Sequence, residues 1–212
     1  MLENILVVVT LPVGIWTYRH LPLSKVSYAA IFAFLCLHEV GAHYTYAEVP
    51  SDAWCESLFG TELSSVLGAQ RNHFDRLVHF LYGVLVAYPV REVFLRVADA
   101  RGFWGYLFPL LVVMSTSLVF ELLEWAAVMI VGGDLGVAYL GTQGDTWDAH
   151  KDSLLASIGA LLTLLFVAGV NWRFDRDFGR EWSESLSVKH AEPLGEVEFE
   201  RLLGEQDADR DS

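Results

Sequence analysis

"SLLASIGALLTLLFVAGV", residues 153–170, carries no charge over its whole length. A helix of that length rises about 27 Å, close to the roughly 30 Å hydrocarbon core of a bilayer. It shows no polar stripe of the kind a surface helix of a soluble domain would present. Extended to residues 153–171, it is one of five such blocks. The others cover roughly 4–18 (with Pro12 inside), 26–45, 73–95 and 103–131. The 212-residue chain is 53% hydrophobic and only 19% charged, with mean hydropathy +0.36. That is too apolar for a soluble domain, and the pattern predicts an all-α polytopic membrane bundle of about five transmembrane helices. Residues 1–171 form the transmembrane domain. Residues 172–212 hold 6 basic and 12 acidic residues and read as an acidic, largely disordered tail with no affinity for nucleic acid.

Glu3 stands where a secretory leader would carry a basic residue, so the first block is not expected to be a cleaved signal peptide. The two cysteines, Cys36 in a span and Cys55 in a loop, lie too far apart in depth to form a disulfide. Lys and Arg set the orientation. Arg19 and Lys25 follow the first block, Arg91, Arg96 and Arg101 follow the third, and Arg173, Arg176 and Arg180 open the tail. The segments 46–72 and 132–152 are acidic instead. The positive-inside rule then puts the N-terminus outside and the C-terminus in the cytoplasm of a cell membrane.

The stretch just before the opening block, "GTQGDTWDAHKD" (141–152), crowds Asp145, Asp148 and Asp152 against the mouth of the last span. Three other spans also carry polar residues in their outer halves: His38, Glu39 and His43; Asp75 and His79; Glu121 and Glu124. Charged groups at such depth are costly and normally face a partner, a cavity or a function. Glu39–His43, Asp75–His79 and Asp148–Asp152 are spaced i, i+4, and Glu121–Glu124 i, i+3, so each pair shares one helix face. Small residues continue two of these faces, Gly83 and Ala87 after His79, and Ala156, Gly159 and Ala160 after Asp152. Such residues permit close helix contact and direct the pairs into the bundle. His150 lies off the Asp148–Asp152 face.

Plainer readings exist for each group. Asp145, Asp148 and Asp152 suit capping and dipole compensation at a helix N-terminus. Glu121 and Glu124 lie mid-helix, where no cap is needed, so a hydrogen-bond network is their structural alternative. "HEVGAH" (38–43) is not a zinc-protease signature, because His38 and His43 are five apart, about 140° around a helix. A site assembled across helices from His43, His79, Asp75, Glu121, Glu124 and Asp152 would suit Zn²⁺, Mn²⁺ or Fe²⁺. Glu121, Glu124, Asp75, His79, Asp148 and Asp152 are the candidate catalytic groups. "SDAWCESLFGTELSSVLG" (51–68) reads as an interfacial amphipathic helix that roofs the site. Arg71 after it is placed either to bind a lipid phosphate or to pair with Asp75 four residues on. Trp16, Tyr18, Trp104, Tyr106 and Trp172 suit interface anchors.

These residues resemble the YjdF-like family of uncharacterised multi-pass inner-membrane proteins. "YTYAEVP" (44–50), "RN" (71–72) with Asp75, His79 and Phe80, "ELLEW" (121–125) and "GTQGDTWDAHKD" with the later "GALL" carry the likeness over most of residues 1–171. A weaker similarity, in Asp75-x-x-x-His79-Phe80, a mid-helix Glu and Asp152 followed by "IGALL", reaches VanZ-like membrane proteins. The resemblance implies a role in the cell envelope and no defined reaction. Three functions stay open. The first is a metal-dependent or acid/base enzyme acting on a lipid or lipid-linked substrate. The second is a structural or binding protein held by a buried network, and the third a proton-coupled transporter. Transport would need polar residues through the inner half, and little is offered there beyond Tyr88, Ser115, Thr116 and Ser117.

Overall fold

The computed structural model describes residues 4–68, 71–131, 142–189 and 193–210, all helix, turn or coil without a strand among them. The elements are α1 (Ile5–His20), α2 (Lys25–His43), α3 (Ser51–Phe59), α4 (Leu63–Leu67), α5 (Phe74–Val97), α6 (Trp104–Val131), α7 (Asp148–Phe174), α8 (Phe178–Ser185) and α9 (Leu194–Arg210). Four of them, α2, α5, α6 and α7, are long and apolar enough to cross a membrane. The first apolar block forms α1, which at 16 residues is shorter and carries Pro12 within it.

Polarity in the bundle is inverted relative to a soluble protein. Phe32, Leu123, Phe166 and Ile130 are exposed, whereas Ser27, His38, His79, Ser117, Glu121, Asp148 and Asp152 are buried. That arrangement costs too much in water and is the stable one in lipid, where apolar side chains face hydrocarbon and polar groups satisfy each other inside.

Helix α5 is the axis of the bundle, packed on α2, α6 and α7. Its contact with α7 is the closest, and glycine makes it so. A Cβ on Gly83 would run into the Ala156 carbonyl and come within 2.7 Å of the Ala160 nitrogen. One on Gly159 would meet the Phe80 carbonyl and lie 3.0 Å from the Val84 nitrogen. Thr163 Oγ1 then donates across the joint to the Val84 carbonyl at 2.9 Å. The small-residue faces expected from the sequence thus meet each other. Ala87, Val113, Ala160 and Leu164 close a core among α5, α6 and α7.

At the end opposite the polar cluster, Glu92 of α5 clamps the start of α2. Its carboxylate accepts from Ser24 N at 2.8 Å and from Ser27 Oγ at 2.5 Å. Arg91 lies over the Tyr106 ring, and Asn171 Nδ2 donates to the Tyr106 hydroxyl at 2.8 Å, tying α5, α6 and α7 together. The segment expected as one interfacial helix forms two short ones, α3 and α4, broken at Gly60 (φ 75°) and joined where Ser64 N donates to Asp52 Oδ1 at 3.0 Å. Leu58, Phe59 and Val66 remain exposed along them.

The acidic tail is helical in part. Helix α8 docks on the α5–α6 turn, where Ser185 Oγ accepts from Phe103 N at 3.0 Å and the Ser185 carbonyl from Trp104 Nε1 at 2.7 Å. Trp182 packs among Phe103, Tyr106 and Phe178. These aromatics explain why the first part of the tail folds despite its charge. The first half of the second acidic loop, including Asp134 and Gly141, lies outside the described residues.

Candidate functional site

Asn72 fixes the entry to α5. Its Oδ1 accepts from Phe74 N at 2.9 Å and from Ser51 Oγ at 3.1 Å, and its Nδ2 donates to the Val49 carbonyl at 2.5 Å. Its backbone makes a two-way exchange with the Gln143 amide: Asn72 N donates to Oε1 at 2.8 Å, and Nε2 donates to the Asn72 carbonyl at 3.1 Å. Gln143 (φ 48°) and Gly144 (φ 84°) both sit in the left-handed region, which turns that amide toward Asn72. The string "TQGD" is therefore a lock between the entries of α5 and α7.

Asp145 caps the turn into α7, its Oδ1 accepting from Trp147 N at 3.0 Å. Its other oxygen meets Lys151 Nζ at 2.6 Å and Arg76 at 2.5 Å. Those bonds, Lys151 first and the Trp147 N–H second, lower its pKa to about 2. Arg71 donates to Asp148 at 2.6 Å, with Arg76 at 3.5 Å from the same carboxylate oxygen. Arg71 therefore pairs across the bundle with α7 and not with Asp75 along its own segment. The corrected partner follows from Arg71 lying ahead of α5, where i, i+4 helical spacing does not apply. Burial alone would lower the Arg71 pKa. The Asp148 hydrogen bond and the charges of Asp148, Asp152 and Asp75 outweigh it and raise the value. One guanidinium nitrogen, Arg71 Nη2, is buried without a hydrogen-bond partner among the described residues.

Behind this ion-pair layer, Asp75 and His79 of α5 and Asp152 of α7 bring one ligand atom each to within 4.8 Å of one another. His79 Nε2 is 3.7 Å from Asp75 Oδ1 and 3.3 Å from Glu121 Oε1 of α6. Among the described residues, neither Glu121 Oε1 nor Asp152 Oδ1 has a hydrogen-bond partner, though both are buried; the approach of His79 to Glu121 lacks hydrogen-bond geometry. Glu124 lies one turn further along α6 and is half-buried. Asp75, His79, Asp152 and Glu121 therefore converge, while Asp148 stands in the adjoining ion-pair layer.

His43 and Glu39 are exposed, and the structure does not bring them to the cluster. Of the four paired polar faces, the one on α2 turns outward. His38, on the neighbouring face of α2, is buried instead, with its Nδ1 2.5 Å from the Tyr46 hydroxyl. His150 stacks edge-on against Trp147, away from the cluster.

Sequence reasoning missed Arg76 and Gln143. Arg76 is one residue beyond Asp75, and its signal was the shortage of cations to balance so many aspartates. Gln143 gave none, because its role depends on a left-handed backbone.

Metal ligands at about 2.1 Å from a tetrahedral ion lie about 3.4 Å apart, so small side-chain rotations would close the Asp75, His79 and Asp152 atoms onto one ion. The donor set, one imidazole and several carboxylates from three helices, fits Zn²⁺, Mn²⁺ or Fe²⁺.

The family described as "Predicted membrane protein (DUF2238)" matches residues 1–173. The inner membrane protein YjdF of Escherichia coli (strain K12) is 36% identical over 174 residues, covering 82% of this chain and 79% of its own. No solved structure matches the chain.

Proposed function

The chain belongs to the DUF2238 family of predicted membrane proteins, and from the geometry of its polar cluster we propose that it is a membrane-embedded enzyme with a divalent metal held by Asp75, His79, Asp152 and Glu121. The observation that carries this reading is the buried carboxylate set facing His79, with one oxygen each on Glu121 and Asp152 left without a hydrogen bond among the described residues. Carboxylates gathered in low dielectric repel one another, and a cation in their midst turns that repulsion into binding. Arg71 and Arg76 lie near enough to offset part of this charge, but their ion pairs go to Asp145 and Asp148.

A divalent ion held by these residues would supply Lewis acidity to the site. Glu124, one turn beyond Glu121 on α6, is the proton-transfer group of this reading. Asp148 orients Arg71, whose buried and unpartnered Nη2 offers a donor to a phosphate or other anionic head group. The substrate is a lipid or envelope molecule reached from the bilayer. With positive segments inside, the site opens in the outer half of a cell membrane, N-terminus outside and C-terminus cytoplasmic.

Elemental analysis of protein purified without chelator is the test. About one metal per chain is expected, with loss in His79→Ala and Asp152→Asn. Absence of metal from the wild type, even after incubation with Zn²⁺, Mn²⁺ and Fe²⁺ in turn, would overturn it. The structural reading has its own support in the Arg71, Arg76, Asp145 and Asp148 lattice, which ties α5 to α7 whether or not any chemistry follows. It requires Asp152→Asn to lose stability even against metal-free wild type, where the enzyme reading requires it to lose metal and to match the stability of metal-free wild type.

A further inference from the structure

A cavity of about 450 Å³ lies among α1, α2, α5 and α6. Its wall on α5 includes Val78, Tyr82, Val86, Pro89 and Val93, spaced three or four apart on one helix face, with His79 and Val90 beside them. From Val78 to Val93 the helix rises roughly 22 Å, longer than one leaflet of a hydrocarbon core of about 30 Å. The cavity is therefore long, and it runs with the helices, in the direction of lipid tails.

Its chemistry is graded along that length. His38, Tyr46 and His79 stand at one end, and Tyr82, Thr116 and Ser117 follow. Tyr82 and Thr116 spend their hydroxyls on each other at 2.5 Å. The far end, around Leu23, Pro89, Val90 and Val93, has no polar side chain in its wall among the described residues. Water would find few partners there, and native interiors hold few voids larger than a water molecule. Hydrocarbon is the filling such a wall favours. Helix α1 contributes only Leu6 and Thr10 to the lining, and Leu11, Val13 and Ile15 beyond them are exposed, so this flank borders the bilayer.

His79 belongs to both the cavity wall and the metal-competent cluster. We infer that the cavity is a slot for one extended acyl chain of a bilayer phospholipid, whose head group lies at the Asp75, His79 and Asp152 cluster. The head-group half of this inference rests on the enzyme reading above, and the chain half stands on the cavity alone. One end of the slot is fixed by the two histidines and the other by its apolar floor, so the lipid enters tail-first toward Val93. Arg71 Nη2 supplies the cationic donor that a phosphodiester head group needs.

The full chain is reconstituted in phosphatidylethanolamine–phosphatidylglycerol vesicles containing a trace of phospholipid with a diazirine near the end of one acyl chain. After irradiation, the labelled peptides are mapped by mass spectrometry. Labels are expected on Val86, Val90 and Val93. Val90→Trp, which fills the slot, should reduce them about fivefold because packed volume excludes the chain. Val86→Phe, a smaller change, should reduce them less. Leu162→Trp on the exposed face of α7 should leave them unchanged. Labelling confined to exposed residues such as Phe166 and Ile130, or equal in all variants, would overturn the slot. So would slot residues protected by a second copy of the chain. Metal content is read on the same samples. Slot labelling without metal refutes only the enzyme reading, and metal without slot labelling refutes only this inference.

Discussion

Asp145 divides its carboxylate between Lys151, Arg76 and the Trp147 N–H, and this lowers its pKa from 3.8 to about 2. A carboxylate whose pKa falls on folding stabilises the fold fully above its unfolded value and loses that contribution as pH falls through the folded one. Thermal melts in detergent should therefore show a stability step between about pH 4 and pH 2, and Asp145→Asn should remove it. Arg71→Met is expected to cost about 1–3 kcal/mol, since it leaves Asp148 buried with only the longer Arg76 contact. A double-mutant cycle with Asp148→Asn should recover most of that loss, and additivity of the two would show that the pair does not couple. The aspartates of this layer were legible from their spacing beside the last span. The capping role of Asp145 was legible too, but the separation of Asp148 from Asp152 was not, because Arg71 and Arg76 reach Asp148 across the bundle and their ion pairs stop short of Asp152.

At the scale of the helix, Gly83 and Gly159 set how near α5 and α7 approach. Gly83→Ala would put a methyl against the Ala156 carbonyl, with no flexible side chain to move aside. Overpacking of this kind costs about 1–3 kcal/mol, whereas Gly169→Ala in the same bundle meets nothing within 4 Å. Unfolding of the two variants in mixed micelles is expected to separate them, and equal stabilities would mean that the α5–α7 joint yields easily. The small-residue pattern announced this contact from the sequence, because close backbone approach needs small side chains at i, i+3 and i+4. The outward turn of Glu39–His43 was less legible. An i, i+4 pair identifies a shared face but not the direction in which that face points, and α2 uses the neighbouring face with His38 and Phe34 for its packing.

The molecule as a whole is a bundle with apolar outer surfaces, a polar cluster at one end and an aromatic-lined junction with α8 at the other. Its orientation can be read with its own cysteines. In a Cys36→Ser background, Cys55 in α3 should react with a membrane-impermeant maleimide on intact cells, and a Ser187→Cys reporter only after permeabilisation. The reverse pattern would invert the proposed topology. What the sequence determined by itself was the class of the molecule: the lengths of the uncharged runs, the inverted distribution of polarity, and the set of polar residues in the same half of the spans. These are local properties, because bilayer thickness and the cost of buried charge act on each segment separately. Tertiary structure alone decided which carboxylates pair with Arg71 and Arg76, which stay open around His79, and that a long apolar cavity ends at that histidine. Such choices depend on the rotation of one helix against another, a long-range quantity that no single segment of the chain encodes.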